Sequence, residues 1–373
     1  MNTFIHSFYS KEDIELAQKM DSVRFSNGEF AEVKGANIEN YSVFDPDDTF
    51  SFLHEAAIIE FNGVLYASWY NNTQFELQGY TPICEKRSYD GGKTWNDMQI
   101  IAEDKSGKIL YCPPVYAVCD DKLYMLMNEM VGADLIHALD LYVLNEETDK
   151  FEFLWSKPIP FKLNTNAVAL PNGRLMLPGR IAEVDSFPNT PAVLISDSGK
   201  ADAEWRLVKI APDGNLPDGR KLVHPEISVI CCDDTLYMFS RNDESGVTIV
   251  YISKDFGESW SNVTAHDIPL VSSKMYCGTL KSGENYIIAN TESWQRTKLE
   301  IYFSKKNEMV FDKKLTIFDA SNNNYPTLKD VQGCHYPSAI ESDGKFYVIA
   351  TKNVGSWIRR GAELFVINLN EVL

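Results

Sequence analysis

A short pattern recurs six times along the chain, and it constrains the fold more than any other feature. Each copy begins with a Gly or Asp turn residue and leads into an apolar or aromatic stretch. The copies end at Tyr66, Tyr124, Met176, Tyr237, Tyr286 and Tyr347. Successive ends are 58, 52, 61, 49 and 61 residues apart, and an extended stretch precedes the turn in each copy. Each copy is therefore predicted to form a β-hairpin, and the period indicates a repeat architecture rather than two unlike domains.

A second pattern follows the hairpins. Ser88–Trp95 and Ser253–Trp260 both fit S-x-D-x-G-x-x-W, and degenerate copies begin at Ser196 and Ser304. In such a turn the Asp accepts backbone N–H bonds, the Gly takes a positive φ, and the Trp packs the turn against the next sheet. The pattern resembles the Asp box of sialidase-like propellers, and the resemblance implies a structural role for it.

The two patterns together predict an all-β fold, a six-bladed β-propeller of four-stranded antiparallel blades in one domain over residues 1–373. The last repeat offers only three predicted strands, and residues 1–50 contain no copy of the hairpin pattern. We therefore predict that segment 1–50 closes the last blade, with a strand near Phe30–Val33.

Composition excludes several classes of partner. The net charge of −18, from 35 Lys and Arg against 53 Asp and Glu, argues against binding of nucleic acid. No apolar run approaches the roughly 20 residues of a membrane span, and residues 1–19 show no signal peptide. We expect no membrane insertion and a cytoplasmic location, or a secreted or periplasmic one if a leader has been removed. The seven cysteines form no CxxC pair and the six histidines no HxxxH or HExxH motif, so no metal and no cofactor are predicted.

Ligands of propellers bind at the axial mouth, where the inner strands and their loops converge. Five polar residues are predicted to reach this mouth. Arg180 and Arg241 hold the same position in their repeats, Arg296 precedes a strand of blade five, and Glu226 and Tyr336 open the inner strands of blades four and six. A guanidinium fork suits a planar carboxylate, and a phenol with a pKa of about 10 needs a neighbouring base to act as a nucleophile.

Four of these residues, Glu226, Arg241, Arg296 and Tyr336, resemble the active site of sialidases. The resemblance implies that Glu226 activates Tyr336 as the nucleophile and that the arginines bind the substrate carboxylate. It breaks down in blade one, where sialidases carry Phe-Arg-Ile-Pro. This chain has His54 in place of that Arg.

Propellers that act on rhamnosyl-glucuronate ends of plant arabinogalactans carry a functional His in blade one, and some are lyases. His54 resembles that residue, which implies uronate elimination with His54 and Tyr336 sharing the base and acid roles. The acidic residue that sialidases carry after the first hairpin has only Glu76 as a counterpart.

The histidines and arginines beside these positions allow structural alternatives. His224 and His335 precede Glu226 and Tyr336, and strand alternation would point them away from the face that those residues use. His335 is nevertheless kept among the candidates for substrate binding. Arg359 and Arg360 follow a tryptophan in a blade-six loop and are expected to be solvated; the alternative is that they reach the mouth.

The sequence therefore predicts an exo-acting carbohydrate-active enzyme, a glycoside hydrolase or a uronate lyase, that cleaves a terminal linkage at an acidic sugar of an oligosaccharide or polysaccharide. The predicted catalytic residues are His54, Tyr336 and Glu226. The predicted substrate-binding residues are Arg180, Arg241, Arg296, Glu76 and His335. The alternative is a glycan-binding propeller without catalysis.

Overall fold

The computed structural model describes residues 9–132, 135–181, 189–211, 214–292, 294–322 and 326–373. Its strands form six sheets, each built from strands that follow one another along the chain. The inner strand of blade six packs against the inner strand of blade one, which closes the ring. The predicted six-bladed β-propeller with four-stranded antiparallel blades is confirmed.

Each blade extends from an inner strand near the axis to an outer strand at the rim. Blade one has Phe52–Phe61, Val64–Asn72, Ile83–Ser88 and Gln99–Ala102; blade two has Leu110–Cys119, Lys122–Val131, Leu135–Asn145 and Lys150–Lys157; blade three has Lys162–Leu163 with Val168–Ala169, Leu175–Ile181, Thr190–Ser196 and Arg206–Lys209. Blade four has Ile227–Cys232, Thr235–Ser240, Ile249–Ser253 and Thr264–His266; blade five has Tyr276–Thr279, Asn285–Asn290, Lys298–Ser304 and Phe311–Asp319; blade six has Val331–Ser342, Lys345–Val354 and Arg360–Asn368.

The N-terminal segment adds one strand to each of the last three blades. Asp21–Val23 and Ser26–Glu32 pair in parallel with the outer strands of blades four and five, and Ile38–Phe44 pairs antiparallel with the last strand of blade six. Closure of the last blade by an N-terminal strand is confirmed, but its predicted position near Phe30–Val33 is wrong. Phe30 lies on blade five because its ring packs edge-on against Tyr302, with centroids 4.8 Å apart.

Short helices complete the described structure. An α-helix spans Lys11–Ala17, begins with a capping box between Ser10 and Asp13, and packs beside blade four. Two 3₁₀ turns span Pro326–Leu328 and Leu369–Glu371. No helix in the described ranges is long and apolar enough to cross a membrane.

Both full Asp boxes form the predicted turn. In the first, Asp90 Oδ1 accepts the Thr94 N–H (2.9 Å), Ser88 Oγ accepts the Gly92 N–H (2.8 Å), and Trp95 Nε1 donates to the Gly92 carbonyl (3.1 Å). The second repeats these bonds with Asp255, Ser253 and Trp260 in the same roles. The boxes lie at the outer turns of the blades, so they serve the fold.

The inner strands of three blades carry a bulge at the same place. In segments 54–57, 111–114 and 335–338, one extra residue stands opposite the neighbouring strand. Glu55 and Tyr336 occupy equivalent positions in the first and last of these bulges and have φ values of 50° and 54°. A bulge interrupts side-chain alternation and redirects the residues within it. These bulges therefore decide which side chains face the axis.

Candidate functional site

The axial mouth contains a cavity of about 360 Å³. Seven of the eight predicted site residues line it, namely His54, Glu76, Arg180, Glu226, Arg241, Arg296 and Tyr336. The eighth, His335, lies behind the cavity wall with no exposed surface. The charged side chains in the lining are five cations (Lys162, Arg180, Arg241, Arg296 and Arg360) and three carboxylates (Glu55, Glu76 and Glu226).

The centre of the cavity is built around the Tyr336 hydroxyl. This hydroxyl donates to Glu226 Oε2 (2.9 Å) and accepts a bond from Arg241 Nη1 (2.7 Å), which also donates to Glu226 Oε2 (2.7 Å). The three groups thus form a closed triangle contributed by blades four and six. Tyr336 and Glu226 are only 7% and 5% exposed.

Electrostatics fixes the protonation of this triangle. Burial alone would raise the pKa of Glu226, but the charges of Arg241, Lys274 and Arg180 outweigh it and lower the pKa to about 2. Burial raises the pKa of Tyr336 above its ordinary value of 10, and the nearby Arg241 only partly offsets this effect. The proton therefore resides on Tyr336 at neutral pH, next to an ionised carboxylate that can accept it.

Arg241 is held by a second carboxylate that the sequence analysis did not single out. Its Nε and Nη2 donate to the two oxygens of Asp243 at 2.6 and 2.8 Å, while Nη1 serves Glu226 and Tyr336. Asp243 also meets His224 Nδ1 (2.9 Å) and the Ser272 hydroxyl. All three nitrogens of Arg241 make hydrogen bonds, so Arg241 positions Glu226 and Tyr336, and its binding of a substrate carboxylate stays a prediction.

The expectation that His224 and His335 point away from the cavity is correct only for His335. His335 packs behind the cavity, as alternation suggested, with its two ring nitrogens near Asn353 Oδ1 (3.0 Å) and Arg296 Nη1 (3.4 Å). His224 instead lines the cavity, because it stands two residues before Glu226 and alternation places residues two apart on the same face. His335 thus supports Arg296 from behind.

The ring of His54 lies against Tyr336, with centroids 4.1 Å apart and an interplanar angle of 46°. Its Nδ1 is 3.3 Å from the Thr351 hydroxyl, and the residue is 2% exposed. Burial, and then the charges of Arg360 and Arg296, lower the pKa of His54 well below 6.5. His54 is therefore neutral at pH 7 and able to accept a proton.

Three arginines of the cavity keep unused donors. Arg180 and Arg296 are each 8% exposed and Arg360 is 2% exposed. Within the described part of the chain, Arg180 Nε, Arg296 Nε and Arg360 Nη1 have no hydrogen-bond partner. Buried donors without partners are costly, and guanidinium groups are suited to oxyanions. These donors are free to bond to a ligand in the cavity.

Arg360 is the functional candidate that sequence reasoning missed, and the expectation that it is solvated is wrong. It opens the third strand of blade six, pairs there with Asn353, and donates from Nε to the Trp357 carbonyl (2.9 Å). Its guanidinium lies 4.7 Å from the centre of the Trp357 ring. The sequence signal was only that this arginine follows Trp357 in a loop from which it could reach the mouth.

Glu55 and Lys274 form a buried ion pair that the sequence also did not reveal. Lys274 Nζ lies 2.7 Å from Glu55 Oε2 and 5.6 Å from the centre of the Tyr336 ring. Glu55 occupies the bulge of blade one and Lys274 precedes the inner strand of blade five. The two residues are 219 positions apart, so only the closed ring brings them together.

Comparison with known proteins gives the family. The sequence profile of the BNR repeat-like domain matches residues 63–348. The chain belongs to this family. A search of curated proteins gives no match.

Solved structures similar to this BNR repeat-like protein include several sialidases. The Trypanosoma rangeli sialidase in complex with sialic acid has a TM-score of 0.65 and 16% identity over 91% of this chain and 60% of its own. The Hadza microbial sialidase has a TM-score of 0.69 and 13% identity, covering 90% of this chain and 69% of its own. A protein of unknown function from Dyadobacter fermentans has a TM-score of 0.67 and 12% identity, covering 89% of this chain and 99% of its own. The chain thus spans about three fifths of the first of these sialidases, and the similarity establishes the propeller fold.

The BNR repeat-like protein has another, larger cavity away from the axis. It measures about 610 Å³ and lies between segment 18–21 and blades three and four, with Lys19 and Asp21 as its charged residues. It lacks the convergent arginines and carboxylates of the mouth, so the axial cavity is the better candidate. Among the residues that the structure describes, no group of three or more His, Cys, Asp or Glu could hold a metal ion.

The buried histidines make the stability of this BNR repeat-like protein sensitive to acid. Burial lowers the pKa of both His54 and His335 in the folded chain, so between pH 6.5 and those lowered values the unfolded chain binds more protons. Stability is therefore lost as pH falls below 6.5, by up to about 1.4 kcal/mol per pH unit for each histidine. Between pH 7.5 and pH 5, the free energy of unfolding of the parent protein falls. We expect the fall in His54→Gln to be smaller by about 1–2 kcal/mol.

Urea unfolding at the two pH values measures this difference. His137→Gln serves as the control, because His137 is exposed on blade two. It should follow the parent protein. An identical pH dependence in the parent and in His54→Gln would contradict the prediction.

Proposed function

We propose that this propeller is an enzyme that cleaves a glycan at the terminal linkage of an acidic sugar. The observation that carries the proposal is the Tyr336 hydroxyl held between the Glu226 carboxylate and the Arg241 guanidinium. A nucleophile in contact with its base, beside buried arginines with unused donors, suits attack on a negatively charged sugar. The sialic acid bound to the Trypanosoma rangeli sialidase is an acidic sugar, which supports a ligand of this class.

In a hydrolytic route, the Tyr336 oxygen attacks the anomeric carbon while its proton passes to Glu226. Glu76, whose carboxylate accepts a hydrogen bond from the Tyr70 hydroxyl (3.0 Å), takes up a proton from solvent and gives it to the leaving oxygen. Water then attacks the anomeric carbon and gives a proton to Glu76, and the departing Tyr336 recovers its proton from Glu226. Arg241 contacts both Tyr336 and Glu226, so it stabilises the negative charge that moves between them.

The contact of His54 with Tyr336 favours elimination as a second route. Neutral His54 would take the proton from C5 of a uronate while Tyr336 protonates the oxygen that leaves C4, and a C4–C5 double bond forms. Arg296 and Arg360 would bind the carboxylate and stabilise the charge that develops when the C5 proton is removed. This role suits a histidine whose lowered pKa keeps it unprotonated at neutral pH.

One assay tests the proposal and separates the routes. The protein is incubated with sialosides and with rhamnosyl-glucuronate oligosaccharides, and both free sugar and the ultraviolet absorbance of an unsaturated uronate are followed. Free sugar without absorbance supports hydrolysis, and free sugar with absorbance supports elimination. Binding of these glycans without any turnover would contradict the enzyme and leave the non-catalytic glycan-binding propeller.

A further inference from the structure

The mouth contains two buried pairs of like charge on opposite sides of the ring. Lys162 and Arg180 belong to blade three, whereas Arg296 and Arg360 belong to blades five and six. Resting on the proposed function, we infer that the substrate carries two anionic groups, one for each pair, on the two sides of the bond that is cleaved. The enzyme is then specific for doubly acidic glycans.

The blade-three pair is a direct cross-strand pair. Lys162 and Arg180 stand opposite each other in an antiparallel ladder, and each is only 8% exposed. Like charges in this arrangement repel and destabilise the sheet. Arg180 Nη1 donates to the Val223 carbonyl (3.3 Å), but Nε has no partner among the described residues. An oxyanion between the two side chains would remove the repulsion and satisfy that donor.

The second pair surrounds Trp357. The guanidinium carbons of Arg296 and Arg360 lie 5.5 and 4.7 Å from the centre of its ring. Burial lowers the pKa of Arg360, Glu76 opposes this effect, and the charge of Arg296 adds a smaller lowering, so the two cations repel while Glu76 compensates in part. Each keeps one buried donor without a partner in the described ranges. An anion between these two arginines would reduce their repulsion and accept bonds from the unused donors. Arg296 also lies against the ring of Tyr336.

The carboxylates already present do not neutralise both pairs. Glu226 is bonded to Arg241 and Tyr336, and Glu55 is paired with Lys274. Glu76 bonds to the Tyr70 hydroxyl and is the carboxylate that acts on Arg360. In a ring of six, blades three and six face each other across the axis, with Tyr336 and Glu226 between the two pairs. The two pairs belong to different blades on either side of this centre, so we assign one anion to each pair.

The pair around Trp357 would hold the carboxylate of the sugar at the reacting centre, because it adjoins Tyr336 and His54. The blade-three pair would hold an oxyanion on the adjoining sugar. A carboxylate and a sulfate ester share this recognition chemistry. The ligands in the test therefore include both.

Binding is measured by isothermal titration of the full chain carrying Tyr336→Phe, which prevents turnover during the titration. The ligands form sets in which one member carries one anionic group more than the other, and in the first two sets the members are otherwise alike. They are chondroitin disaccharide with and without its sulfate, digalacturonate with and without reduction of one carboxyl, and α2,8-linked di-sialic acid against sialyllactose. We expect the doubly anionic member of at least one set to bind at least tenfold more tightly. Adding Arg180→Gln should abolish that advantage, because it should weaken binding of the doubly anionic member far more than binding of the singly anionic one.

Arg174→Gln is the matched control, because Arg174 lies on blade three but forms ion pairs with Glu258 and Asp197 away from the mouth. It should keep the preference. Equal affinities within every set, or a preference that survives Arg180→Gln, would overturn the inference and leave the proposed function in place. Failure of all these ligands to bind would contradict the proposed function itself.

A second readout needs no ligand. If Lys162 and Arg180 form an anion site, their charges repel in the protein without ligand, and removing one charge relieves this repulsion. Lys162→Met should therefore have a Tm that is equal to or higher than that of the parent protein at low salt. A Tm lowered by several degrees would show that Lys162 stabilises the fold, which would contradict the inference.

Discussion

Replacing Tyr336 with phenylalanine is expected to lower kcat on the acidic glycan by at least ~10³-fold, the range found for loss of a reacting acid or base group. The change removes one oxygen that contacts Glu226 and Arg241 and leaves the aromatic ring in place against His54 and Arg296. Substrate affinity should change little, because the arginines remain. Steady-state kinetics with a thermal melt measures both effects.

The control for this substitution is Tyr302→Phe. Tyr302 is also buried, and its hydroxyl also donates to a carboxylate, that of Glu300 (3.2 Å), but it belongs to the third strand of blade five away from the mouth. Its loss should leave kcat unchanged. Turnover by Tyr336→Phe at the parent rate would remove Tyr336 from the chemistry and leave His54 to account for it.

Arg360→Gln is expected to lower kcat/KM by about 30- to 150-fold, which corresponds to losing one charge-assisted contact of roughly 2–3 kcal/mol. The loss should appear mainly in KM, because Arg360 binds the carboxylate of the substrate rather than the reacting atoms. The kcat/KM of Arg360→Lys should lie between those of the parent protein and of Arg360→Gln, since an ammonium keeps the charge but loses the planar fork. Steady-state kinetics on the acidic glycan and on the same glycan with its carboxyl reduced measures the effect.

Arg359→Gln provides the neighbouring control. Arg359 is exposed and donates to the Pro46 carbonyl (2.7 Å), so it carries the same charge one residue away without reaching the cavity. It should behave as the parent protein. If Arg360→Gln reduced activity equally on the acidic and the reduced glycan, Arg360 would be shaping the mouth and not binding the carboxylate.

The blades were predictable from sequence because hairpins and Asp-box turns are local. A Gly or Asp turn and a Ser–Asp–Gly–Trp turn are formed by residues within eight positions of each other, so their pattern is visible in the chain. The position of the closing strand was not predictable in the same way. Segment 26–44 gives one strand to blade five and the next to blade six. Which strand joins which blade depends on contacts such as that of Phe30 with Tyr302, which are 272 positions apart in the chain.

The residues of the candidate site also fall into those that the local sequence pattern could predict and those that depend on distant partners. Glu226, Arg241, Arg296 and Tyr336 follow the repeat, so their position at the mouth could be predicted from their place in it. Asp243, Lys274 and Arg360 could not be assigned roles, because each acts through partners that only the folded ring brings near. Strand alternation identified His335 correctly as facing away from the cavity, but the bulge beside it, and not alternation alone, turns Tyr336 toward the axis.

The inner-strand bulges have a consequence for how such propellers diverge. Glu55, Cys112 and Tyr336 occupy equivalent positions in blades one, two and six, where the extra residue is left out of the cross-strand register. Exchanging the side chain at such a position changes no strand pairing in its own blade or in the next. Each of these three blades can therefore acquire or lose a reactive group by a single substitution. The ring offers separate, interchangeable positions for new chemistry on one unchanged framework.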